Sequence, residues 1–152
     1  MSNKLLDLLT REHAATGIFL ELLDQEAAAM TDGGFAKLPE LAERKSELAD
    51  QIALMARQRE MEQLSLGYAA GRRGADAAAA AGGEALQNAW RDLLKLAAQA
   101  HASNHRNGVM IHTHLDFTRQ TIGFLQAGSQ PLYGPDGGHK TGSGGGHCLA
   151  LG

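Results

Sequence analysis

From residue 84 to about residue 127 the chain runs without a proline, and apolar side chains return every three or four positions: Leu86, Trp90, Leu93, Ala97, Ala100, Ile111, Leu115, Ile122 and Leu125, with Asn104 and Thr118 in the same row. At about 100° per residue these positions fall on one narrow stripe, so the segment reads as a single helix, roughly 60 Å long at about 1.5 Å per residue. A rod of that length is not globular alone. Other helices must cover part of its stripe, and the remainder can extend past them.

Two amphipathic segments that precede it supply the cover. Over residues 3 to 30, Leu5, Leu8, Leu9, Ala15, Ile18, Phe19, Leu22, Leu23 and Ala29 recur at helical spacing, with Lys4, Arg11, Glu21 and Gln25 largely off that face. The "TDGG" at 31 to 34 places glycine just past a helix end, and Pro39 suits a first turn. The second helix, residues 35 to 64, repeats the pattern with Leu38, Leu41, Leu48, Ile52 and Met55, and carries Glu40, Glu43 and Glu47 near its start, where the helix dipole favours them. Residues 66 to 83, "LGYAAGRRGADAAAAAGG", have glycines around five alanines and little apolar bulk, which predicts a mobile linker. The last 25 residues, 128 to 152, include 9 glycines and predict a flexible tail that cannot offset its own ordering entropy. The expected fold is therefore all-α: three long helices in an antiparallel, coiled-coil-like bundle over residues 1 to 127, then the tail.

Charge and composition narrow the function. With 14 basic and 17 acidic residues and no basic cluster beyond Arg72 and Arg73, the chain lacks the footprint of a nucleic-acid binder. Its start, "MSNKLLDLLTREH", is too charged and too short in apolar run for a signal peptide or a bilayer span, so no membrane insertion and a cytoplasmic location are expected. The single cysteine, Cys148, excludes an intrachain disulfide and any multi-cysteine metal site.

The third helix bears a second apolar seam. Met110, Phe117 and Phe124 follow at intervals of seven, about 20° apart on the wheel but far from the main stripe. One reading makes them the completion of the bundle core. The other makes them a groove for a helix of another protein, with flexible Met110 adapting and the two phenylalanines anchoring. Asn104 and Asn107 lie on or beside the main stripe, where a polar residue sets helix register at some cost in stability, and Gly108 beside them offers close approach to another backbone.

Four histidines crowd into "HASNHRNGVMIHTH": His101, His105, His112 and His114. An i, i+4 pair can chelate a divalent metal, but only Asp116 stands near as a further ligand, and no HExxH pattern occurs. A histidine phosphotransfer bundle is an alternative using His105, although "HRNG" has arginine where such domains have lysine. The runner-up reading is thus a phosphotransfer or metal-responsive bundle built on residues 101 to 114. Nothing else points to catalysis or a cofactor: there is no phosphate loop, no nucleophile beside a base and no carboxylate pair.

"NHRNG" (104 to 108) inside the long helix, followed by "LYGPDG" (132 to 137), resembles the flagellar export chaperone FlgN family. "LLTREHAATGIFLELLDQE" and "LPELAERKSELADQIA" are similar to that family's first two helices. The likeness runs over most of the chain except the alanine-glycine segment and the final residues, and the chain departs from the family in that segment and in its histidines, so no family role is placed on those. It implies a non-enzymatic cytoplasmic chaperone that holds the hook-filament junction proteins FlgK and FlgL. Cargo is expected to bind, through its C-terminal helix, at Met110, Phe117, Ile122, Phe124 and Leu125. It further implies contact of Leu132, Tyr133, Gly134, Asp136 and Gly137 with the cytoplasmic domain of the export-gate protein FlhA.

Overall fold

The computed structural model describes residues 3 to 129, which fall into two compact units, the first ending at His112 and the second beginning at Thr113. The chain is all-α: α1 (Asn3–Thr31), a 3-10 turn (Phe35–Lys37), α2 (Leu38–Ser65), α3 (Gly71–Ala81) and α4 (Glu84–Ser129), with no strand among the described residues. The expected second helix thus begins three residues later than its apolar pattern suggested, because residues 35 to 37 take the tighter 3-10 winding ahead of Pro39.

Both ends of the α1–α2 hairpin are closed by the backbone. Gly33 takes a left-handed φ of 75°, which lets the Gly34 amide reach back to the Ala29 carbonyl at 2.7 Å. The same closure recurs at the end of α2, where Gly67 has φ 90° and the Tyr68 amide donates to the Gln63 carbonyl at 2.9 Å.

Cross-helix pairs give the directions within the first unit. Glu12 meets Arg59 and Glu26 meets Lys45, so α2 descends as α1 rises. Leu5 and Leu9 share a cluster with Leu86, Trp90 and Leu93, while the Leu23 carbonyl accepts from Asn107, so α4 rises alongside α1. The main core lies at the early turns of α1 and α4, and a smaller cluster of Leu22, Ala29 and Leu41 lies at the far end of the hairpin.

Residues 71 to 81 depart from the expected linker: they form α3, a fourth helix, with Gly74, Ala75, Ala78 and Ala79 buried. Smallness is what seats it. A side chain as slight as alanine brings the α3 backbone against Leu5, Leu9 and Trp90, and the area those large residues lose to water counts as much as any α3 would bury itself. Polar bonds hold the element in place. Gln63, wholly buried, donates from Nε2 to the carbonyls of Ala69 and Gly71 at 3.0 Å each, and the Trp90 indole N–H donates to Asp76 at 2.7 Å. Gln63 is in turn bonded by Arg59 at 2.7 Å, and the Arg59 guanidinium lies 5.0 Å over the Trp90 ring.

Candidate functional site: the outer turns of α4

Within the first unit, α4 turns its stripe inward as far as Asn107. Leu86, Trp90, Leu93 and Ala100 are buried, and Asn107, only 4% exposed, donates from Nδ2 to the Leu23 carbonyl at 2.8 Å and to the Glu26 carboxylate at 3.1 Å. Lys45 closes the network with bonds of 3.2 and 3.1 Å to the same carboxylate and one of 3.2 Å to Asn104 Oδ1. Asn104, expected in the seam, is exposed, and only its carbonyl oxygen joins the network from the rim. Among the described residues outside its own helix turns, a Cβ at Gly108 would meet nothing within 4 Å, so they supply no close approach to the backbone there. Of the two asparagines, Asn107 is the one buried in the seam.

Past Asn107 the apolar pattern continues but burial stops. Met110, in the first unit, is 39% exposed. In the second unit Phe117 is 66% and Phe124 79% exposed, and Leu115, Ile122 and Leu125 are exposed as well. Phe117 and Phe124 are therefore not core residues of the described fold. Two hydroxyls on these turns are satisfied inside the helix, Thr118 on the His114 carbonyl and Thr121 on the Phe117 carbonyl, both at 2.9 Å. Leu115 and Ile122 stand about 200° from Phe117 and Phe124 on the wheel. The second unit thus offers apolar groups on two sides of one helix, an arrangement that a single flat contact cannot cover.

The histidines do not assemble into a site. His101, His105, His112 and His114 are exposed, and among the described residues no three His, Cys, Asp or Glu side chains gather as metal ligands. A cleft of about 330 Å³ in the first unit is lined by Glu12, Thr16, Phe19, Arg59, Trp90 and His101 among others. Its ionic groups are tied to each other, with Arg59 Nε on Glu12 at 2.7 Å, and the Thr16 hydroxyl is bonded to the Glu12 carbonyl at 2.7 Å. No helix of the described residues is long and apolar enough to cross a membrane.

Leu132, Tyr133, Gly134, Asp136 and Gly137 lie outside the described residues. The buried Glu12–Arg59–Gln63 set was not anticipated from the pattern. Its only trace in the sequence is that charged and amide residues sit four apart in α2 and fall in phase with the apolar row, as at Arg59 and Gln63. Comparison with protein families matches residues 1–141 to the family described as FlgN protein. No curated protein and no solved structure matches.

Proposed function

We propose, since the chain belongs to the FlgN family of flagellar chaperones, that it is a cytoplasmic chaperone that grips FlgK and FlgL by their C-terminal amphipathic helix and hands them to FlhA at the export gate. The observation that supports this most is the exposure of Phe117 and Phe124 on a helix whose inner turns are well packed. An aromatic side chain left in water forgoes a large burial gain, and a cargo helix would recover it. Phe117 and Phe124 act as the anchors, with Ile122 and Leu125 extending the contact and Met110 adapting to cargo sequence. Holding a helix needs no bond chemistry, so the role is not enzymatic.

The test replaces Phe117 and Phe124 by alanine, singly and together, and measures calorimetric binding of a FlgK C-terminal peptide. Each truncation is expected to weaken binding by about 1–3 kcal/mol. Thermal stability should move by no more than roughly 0.5 kcal/mol, since both side chains are exposed. Unchanged peptide affinity in the double variant would place cargo elsewhere.

A further inference from the structure

α3 is held to the bundle differently at its ends and along its middle. At its start, Gln63 donates to the carbonyls of Ala69 and Gly71 and is itself held by Arg59, so the point of entry is pinned to α2. At its exit, the Gln87 amide donates to the Gly83 carbonyl at 3.1 Å, which ties the last joint to the first turn of α4. Both joints are glycines in the left-handed region, Gly71 at φ 82° and Gly83 at φ 91°, where other residues are strained. The span between them has less grip. It enters the core through Ala75, Ala78 and Ala79, which carry nothing beyond Cβ to interdigitate. Among the described residues, the side-chain bonds that reach it are the Trp90 indole on Asp76 at 2.7 Å and an exposed one from Gln87 to the Ala80 carbonyl at 3.3 Å.

As a helix, α3 is weak by itself. It has 11 residues, and helices shorter than about 12–15 are marginal without packing. No side chain caps its start, and Arg72 and Arg73 stand in its first turn, where the dipole disfavours positive charge. At its end the Gly82 amide reaches the Ala79 carbonyl only at 3.4 Å. Its alanines favour winding but add no hold on the seat. We propose that α3 is a releasable strap, which unwinds between Gly71 and Gly83 and leaves its seat while α1, α2 and the inner turns of α4 stay folded. Closed, it covers Leu5, Leu9, Leu86 and Trp90, each less than a tenth exposed, and the area these withhold from water keeps the closed form dominant. Released, it bares them and runs their surface into the cleft beside Thr16 and Phe19, since Trp90 and Leu93 belong to both. The pinned ends make this a local event: Gln63 keeps its acceptors when the middle leaves, so release strands no buried donor there.

Native-state hydrogen exchange on the full chain, read residue by residue by nuclear magnetic resonance in a series of low urea concentrations, tests this. The amides of residues 77 to 81 should exchange through an opening nearly independent of urea, and roughly tenfold or more populated than the one that frees the slowest amides of α1 and α4. Asn107→Ala, remote from α3, should speed those slowest amides by about tenfold and leave the α3 amides unchanged, because the closed and released forms share the Asn107 contacts. Asp76→Ala, at an exposed position, should speed the α3 amides by about tenfold and raise acrylamide quenching of Trp90, the single tryptophan. Four results would overturn the proposal. These are a urea dependence in α3 equal to that of the slowest amides of α1 and α4, equal acceleration of α3 by Asn107→Ala, α3 amides that exchange as fast as an unfolded peptide, and α3 exchange indifferent to Asp76→Ala.

Discussion

Asn107 and Asn104 are three residues apart, both amides on or near one stripe, and the structure treats them oppositely. Three steps of about 100° leave them some 60° apart around the helix, enough for one to enter the seam while the other stays at its edge. Asn107 is buried with both hydrogens of its amide in use, on the Leu23 carbonyl and the Glu26 carboxylate. Glu26 is 2% exposed and has Lys45 as its charged partner, so Asn107 supplies the second donor that a buried carboxylate requires. Asn107→Ala should destabilise the fold by about 1–3 kcal/mol, seen as a lower urea midpoint with unchanged slope. An Asn104→Ala control should shift it far less, because its contact is exposed. Equal shifts would mean that the seam does not distinguish the two. That a polar residue marks this crossing was legible in the sequence; which of the two enters was not, since the helix phase relative to α1 depends on packing.

At the scale of elements, α1, α2 and α4 were readable because each repeats large apolar residues at helical spacing over many turns. α3 was not. Its row of Gly74, Ala75, Ala78 and Ala79 has the right period, but the signal that reveals burial is usually bulk, and here the bulk lies on Leu5, Leu9, Leu86 and Trp90 of other helices. The close fit makes a direct prediction. Ala78→Leu forces a large side chain against that cluster and should cost about 1–3 kcal/mol, with a change in Trp90 fluorescence as Asp76 is displaced from the indole. Ala77→Leu, on the exposed side of the same helix, should stay within roughly 0.5 kcal/mol of the parent. If Ala78→Leu proves equally silent, α3 does not pack as tightly as its burial indicates. Gly74 has the same origin: a Cβ there would run into the Ala69 carbonyl, so the turn into α3 tolerates no side chain at that point.

For the whole molecule, the proposed function places holding of cargo and its delivery on different segments, the outer turns of α4 and the motif around Tyr133. Tyr133→Ala, or removal of the chain from Pro131 onward, is expected to leave helical circular dichroism and FlgK peptide affinity unchanged, because a turn sequence in a glycine-rich segment contributes little to helix packing. Secretion of FlgK by cells with the same change should fall, since loss of one aromatic anchor removes recruitment to the gate without loosening the grip. Lost peptide binding would assign the segment to the cargo surface, and normal secretion would remove Tyr133 from gate contact. By itself the sequence determined the all-α class, three of the four helices and the two-sided apolar character of α4, because periodicity is a local property that survives without knowing any neighbour. Only the tertiary structure decided that a run of alanines is a core element, that Asn107 rather than Asn104 is buried, and that Leu54, Met61 and Ile18 face outward. Each of those depends on what stands across the gap, and burial is a property of a pair of surfaces rather than of one residue.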